Sequence, residues 1–211
     1  MQKKKKEKTG YHHGNLREAI LDASLDWIKK NGVDSLSLRE IAKKLGVTHS
    51  APNKHFPKKE VLLATLIEQG FIEFKAYLES SGVEMETKPK EAFIQMGLGY
   101  IRFANRNPEI YRLMFSHTIV NFMEYPGMLK AGQEAFDVLH DSVRLLQAKN
   151  VVRSGNSLEI AYMIWSFTHG FVLLSQDGKL KGVQTEIDIQ NKSEEDLMKS
   201  LFLMMGEGIT K

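Results

Sequence analysis

No cysteine occurs in the 211 residues. That excludes a disulfide framework, a cysteine nucleophile and thiolate metal sites, and it fits a reducing cytosol. There is no glycine-rich phosphate loop and no paired-carboxylate motif, so neither an enzyme nor a cofactor is expected. His12 and His13 are adjacent and make a poor chelate, so no metal site is expected; contact with a nucleic-acid backbone or plain solvent suits them better. The longest run without a charged residue, Ile160 to Gln176, contains Ser166, Thr168, His169, Ser175 and Gln176. It is short and polar for a membrane span and reads as a buried helix. The charged start, "MQKKKKEKTG", is followed by no apolar run of the kind a signal peptide needs. The expected location is the cytoplasm, with no membrane partner. Only five prolines are present, and each stands near an expected helix start.

The hydrophobic share of 42% is enough for a real core. Charge is unevenly spread. Residues 1–60 hold 14 Lys and Arg against 7 Asp and Glu, and residues 61–211 hold 15 against 19. A basic front on an acidic body points to a polyanion as partner of the front alone.

The apolar spacing is helical throughout, and the expected fold class is all-α. Leu16, Ala19, Ile20, Ala23, Trp27 and Ile28 recur at intervals of three and four, behind Asn15 as a cap, and Asn31-Gly32 ends this first helix. Ser37 caps a second helix to Leu45, with Glu40 as its capping-box partner, and Gly46 makes the turn. Thr48 opens a third, short helix through about Lys54, with Pro52 in its first turn. Pro57 opens a long fourth helix to about Ser80. Further helices are expected at roughly 89–105, 108–116, 126–149, 157–175 and 193–206. Val183 to Ile189 alternates weakly and reads as a loop.

The stretch "GVTHSAPNKHFPKKE" is polar, basic and small-sided. Two helices joined by a short glycine-containing turn make a helix-turn-helix, whose second helix enters the DNA major groove. That groove admits a helix only if its side chains are short or meet base edges. Thr48, His49, Ser50 and Asn53 carry donors and acceptors on short stems, and Ala51 leaves room for close approach. Lys54, Lys58 and Lys59 are long point charges suited to phosphate, and the start of the fourth helix presents free N–H groups. An ordinary solvated turn is the competing reading for this segment taken alone.

Taken together, "YHHGNLREAILDASLDWIKKNGVDSLSLREIAKKLGVTHSAPNKHFPKKEVLLATL" closely resembles the DNA-binding domain of TetR-type transcriptional regulators. The likeness rests on Gly32, the "SLREIAKKLGV" helix and turn, His55-Phe56 and "KKEVLL". It implies a homodimer with a three-helix DNA-binding domain on a larger helical domain for dimerisation and ligand binding. It also implies a repressor that leaves a palindromic DNA operator when a small-molecule effector binds. The expected division is a basic arm at 1–10, the DNA-binding domain at 11–58 and the larger domain at 59–211. By the resemblance, His55 and Lys59 align with phosphate-contacting positions and Thr48 with the recognition-helix cap. Ser37 joins the DNA-contacting set. Where the family usually has tyrosine, two residues before the histidine, stands Asn53, which can make a bidentate contact to adenine. "WSFTHG" resembles a motif of one subgroup, with which "YHHGNL" agrees.

In the larger domain Trp165 and His169 share a helix face. A pocket group beside a tryptophan wall and a satisfied core histidine are both open readings of His169. Met96, Tyr100, Phe103, Met114, Phe115 and Phe136 are the other candidate ligand-binding residues, each equally at home in a core. Helix 157–175 is apolar on nearly all sides and must be covered on all sides, with one side facing a twin subunit or the whole helix internal to a monomer. Leu197, Leu201, Phe202 and Met205 make the last helix its companion. The rival class is a helical module that binds a ligand or protein without sequence-specific DNA binding. A third, an enzyme built around His169, would need turnover that disappears with that side chain.

Overall fold

The computed structural model describes residues 16–80, 84–116, 121–180 and 192–209, the last stretch with side chains as far as residue 204. The arm at 1–10, "YHHGNL" as far as Asn15, the 183–189 stretch and the Met205 side chain lie outside the described residues. The described chain is all-α. It comprises α1 (Leu16–Asn31), α2 (Leu38–Leu45), α3 (Lys59–Glu79), α4 (Pro89–Arg106), α5 (Pro108–Met114), α6 (Pro126–Ala148), α7 (Ser157–Gln176) and α8 (Glu194–Ile209). It divides into two compact units, Met1–Leu66 and Ile67–Lys211.

Local chemistry sets the helix ends. Gly32, at φ 78°, closes α1 by donating its N–H to the Ile28 carbonyl. Ser37 accepts the Glu40 N–H and so caps α2. Gly46, at φ 67°, is in the left-handed region that costs glycine nothing, and Val47 N–H reaches back to Ala42 O. Pro89, Pro108 and Pro126 each stand at the first position of their helix, where a missing N–H is not missed. Asn156 caps α7 by accepting from Leu158 and Glu159 N–H.

In the first unit Ile20, Leu21, Ile28, Leu36, Ile41, Phe56, Leu62 and Leu63 form the core. Each large side chain so buried contributes about 1.5–3 kcal/mol. In the second unit α4 is central. It packs on α5, α6, α7 and α8, and its Gly97 and Gly99 are both buried. A methyl group at Gly99 would overlap the Tyr77 carbonyl oxygen of α3, and one at Gly97 would overlap the Phe202 ring of α8. The two glycines therefore set how closely these helices approach α4. Arg102 grips Glu195 through two hydrogen bonds, 3.0 and 2.8 Å. This fork raises the arginine pKa and lowers that of the carboxylate.

Helix α7 is buried along Ile160, Ala161, Ile164, Thr168, Phe171 and Val172. It is the one helix among the described residues long and apolar enough to cross a membrane. Tyr162, Met163, Ser166, Leu173 and Leu174 are exposed, so within one chain the helix is covered on one side. Leu203 and Met204 of α8 are also exposed. The two helices touch through Phe167 and Phe202 and through Ser175 and Glu194.

Candidate nucleic-acid interface and ligand cavity

The recognition segment is helical but is not a regular α-helix. Residues 49–51 form a turn, and Pro52–Lys54 is one turn of 3-10 helix. Proline explains this. A helix from Thr48 to His55 needs the N–H of residue 52 to reach the Thr48 carbonyl, and Pro52 has none. The bonds tighten instead to three-residue closures, Ala51 to Thr48 (3.0 Å), Lys54 to Ala51 (3.3 Å) and His55 to Pro52 (3.0 Å). Ala51 makes no side-chain cap, and Thr48 serves the start through its backbone carbonyl.

Two side chains anchor the segment. Pro52 is buried, and Phe56 is 1% exposed. The Arg17 guanidinium lies 5.2 Å from the centre of the Phe56 ring. Between and around these anchors Thr48, His49, Ser50, Asn53, Lys54, His55 and Lys58 are exposed, and Ala51 is half-buried. Ser37 is half-buried, with its hydroxyl given to the α2 cap. Among the described residues no hydrogen bond or ion pair engages the His49, Asn53, Lys54 or Lys58 side chains.

Lys59 is different. Its Nζ donates to Val33 O (2.8 Å) and Asp34 O (3.2 Å), carbonyls of the loop between α1 and α2. That leaves one N–H for a phosphate. The sequence holds no signal for this clamp, because its partners are backbone atoms 26 and 25 residues away. The Phe56 anchor is visible there only as half of a motif.

The second unit holds a half-open cavity of about 1190 Å³. Met96, Tyr100, Met114, Phe115, Phe136 and Trp165, all candidates from sequence, line it. Phe103 and His169, named with them, are absent from the lining. Phe103 is fully buried, its ring 5.1 Å from Phe74 and 5.6 Å from Tyr77. His169 takes the Tyr111 hydroxyl on Nδ1 at 2.6 Å, with the Tyr100 hydroxyl 3.1 Å away. Tyr100 and Tyr111 are themselves 3.0 Å apart. Either tyrosine can donate to the other; the shorter 2.6 Å contact makes Tyr111 the donor to a neutral imidazole Nδ1, with Tyr100 donating to Tyr111. Burial favours the neutral forms, raising both tyrosine pKa values and lowering that of His169.

Of α6, sequence reasoning named Phe136 alone. Gln133, Asp137 and His140 line the cavity beside it. The spacing of the four, at zero, three, four and seven, is one helix face, and its mix of aromatic and polar residues was the available signal. Phe136 is stacked on Tyr162 of α7 (5.3 Å, 28°) and meets Trp165 edge-on at 5.7 Å. His140 Nε2 is 2.9 Å from Ser157 Oγ.

Comparison with known proteins matches two parts of the chain separately. The profile of the bacterial regulatory proteins of the tetR family matches residues 20–66. The profile of the tetracyclin repressor-like C-terminal domain matches residues 93–200, about half of the chain. The nucleoid occlusion factor SlmA of Vibrio cholerae is 27% identical over 148 residues, 69% of this chain and 74% of that protein. A protein with unknown function from Rhodococcus sp. RHA1 superposes with a TM-score of 0.80 at 27% identity, covering 97% of this chain and 100% of that one. The TetR family transcriptional regulator PfmR from Thermus thermophilus superposes at 0.67 with 16% identity, covering 91% and 99%. This last likeness is one of fold.

Proposed function

The chain belongs to the TetR family of bacterial regulatory proteins and is a DNA-binding transcriptional regulator, and from that premise we infer that it is a repressor released by a small molecule. The observation that carries the ligand-responsive part is the cavity of about 1190 Å³ walled by aromatic side chains. A hollow that size is large for a packed domain and lies just above the roughly 300–1,000 Å³ of small-molecule sites.

The recognition segment is assigned as follows. Thr48, His49, Ser50 and Asn53 face base edges, with Ala51 allowing close approach. Lys54, His55 and Lys58 meet phosphates, joined by Ser37 and the remaining N–H of Lys59. Phosphate contacts set register, and base contacts set sequence. TetR-family regulators bind DNA and act as dimers. The exposed face of α7 around Met163, Ser166 and Leu174, continued by Leu203 and Met204, supports a two-fold contact there. Two heads so related meet a palindromic operator in successive major grooves. A ligand releases them only if it binds one arrangement of the dimer better than the other. The role is regulatory and the setting cytoplasmic.

The test is a footprint on the DNA flanking the protein's own gene. A protected palindrome, lost on addition of an apolar small molecule, is the expected result. Protection of no sequence in preference to any other overturns the reading. The likeness to a nucleoid occlusion factor supports a second reading, a factor bound at many chromosomal sites. Genome-wide occupancy separates the two: a few promoter sites for the repressor, scattered sites for the alternative.

A further inference from the structure

The charge on the cavity wall is lopsided. Among the described residues no lysine or arginine lines the cavity, and its one acidic side chain is Asp137. The neighbouring acids of α6 are paired: Glu134 lies 3.2 Å from Lys75 Nζ, and Asp141 lies 3.4 Å from Arg144. Asp137 is half-buried, and among the described residues no ion pair or hydrogen bond engages its carboxylate. An unpaired carboxylate beside apolar walls loses hydration and gains nothing from the fold in return. His140 also lines the cavity, with its Nε2 2.9 Å from Ser157 Oγ.

Aromatic rings line the same cavity as this charge. Phe136, next to Asp137 in sequence on α6, is stacked on Tyr162 and meets Trp165 edge-on, with Phe115 6.3 Å from Trp165. Aromatic faces attract cations, tryptophan most strongly, and the attraction grows when water is excluded. An anion entering here would meet a carboxylate and, among the described residues, no lysine or arginine. A neutral ligand would leave Asp137 uncompensated.

We propose that the cavity takes a lipophilic cation, an organic ammonium or phosphonium ion bearing aromatic groups, its charge met by the Asp137 carboxylate and by the ring faces of Phe136 and Trp165. This deepens the ligand-responsive reading above and rests on it, so the test separates the two.

Methyltriphenylphosphonium and triphenylphosphine oxide carry three phenyl groups each, with positive and zero charge, and tetraphenylborate carries four with negative charge. Each is titrated into the full chain by calorimetry. The phosphonium ion is expected to bind at least about tenfold tighter than the oxide, and the borate most weakly. Asp137→Asn is expected to erase that preference by weakening the phosphonium, with oxide affinity and the thermal melt no lower than in the wild type. Phe136→Leu is expected to weaken the phosphonium more than the oxide. Equal binding of phosphonium and oxide overturns the proposal. So does tighter binding of borate, no binding of phosphonium, or a preference that survives Asp137→Asn. The same three compounds are added to the protein–DNA complex in a mobility-shift assay. A phosphonium ion that binds through Asp137 yet leaves the duplex bound upholds the proposal and defeats ligand release. Release by oxide or borate alone upholds ligand release and defeats the proposal.

Discussion

Tyr111 places its hydroxyl 2.6 Å from His169 Nδ1, and burial holds that imidazole below its ordinary pKa. The folded state therefore accommodates the neutral ring, and the unfolded chain binds the proton more readily. Stability from this group is full above the unfolded pKa of about 6.5 and is lost as pH falls through the folded value. Thermal melts between pH 8 and pH 5 should show the wild-type Tm falling more steeply than that of His169→Gln. Parallel profiles would remove His169 from the account.

Phe56 anchors the recognition segment in the first unit at 1% exposure. Phe56→Ala should cost about 3–5 kcal/mol in that unit and abolish DNA binding. Hydrogen exchange is the measurement. Amides of α1 and α2 should lose protection, while those of α4 and α7 keep it. Unchanged protection of α1 and α2 would show that the anchor is dispensable.

Much of this architecture is legible in the sequence, for local reasons. Pro89, Pro108 and Pro126 mark helix starts because a proline there costs no hydrogen bond, and Ser37 marks another because its hydroxyl reaches the Glu40 amide. What escapes is not local. The Lys59 clamp depends on a loop brought back by the fold, and the cavity face of α6 depends on what that helix is packed against. Pro52 reads as a first-turn proline of a helix that Thr48 opens, yet it heads a 3-10 turn, because its missing N–H leaves Ala51 bonded to Thr48 and Lys54 to Ala51 in three-residue closures. The short 3-10 turn Phe122–Glu124, capped by Asn121, gives no periodic signal at all.

Gly99 and Gly170 look alike in sequence and differ in structure. A methyl at Gly99 meets the backbone of Tyr77, whereas nothing lies within 4 Å of one at Gly170. Gly99→Ala should therefore destabilise by roughly 1–3 kcal/mol through overpacking, with nowhere for a carbonyl to retreat. Urea titration of the second unit's transition checks it. A midpoint equal to that of the wild type would mean that α4 and α3 are less closely packed than described.

Leu174 is 48% exposed on the uncovered face of α7. If that face joins two copies, Leu174→Glu should convert the dimer to a folded monomer in sedimentation and weaken operator binding through lost bivalency. A dimer of unaltered affinity would place the contact elsewhere.

The central claim is that an exposed, cation-flanked segment sits in a DNA groove, and salt reports it most directly. Lys58 is exposed with no partner among the described residues. The measurement is the logarithm of operator affinity against the logarithm of salt concentration, for the wild type and for Lys58→Ala. A steep negative wild-type slope is expected, made shallower by ~0.9 for each phosphate contact removed, with sequence preference unchanged. A wild-type affinity that does not respond to salt, or a Lys58→Ala slope identical to it, would contradict the account.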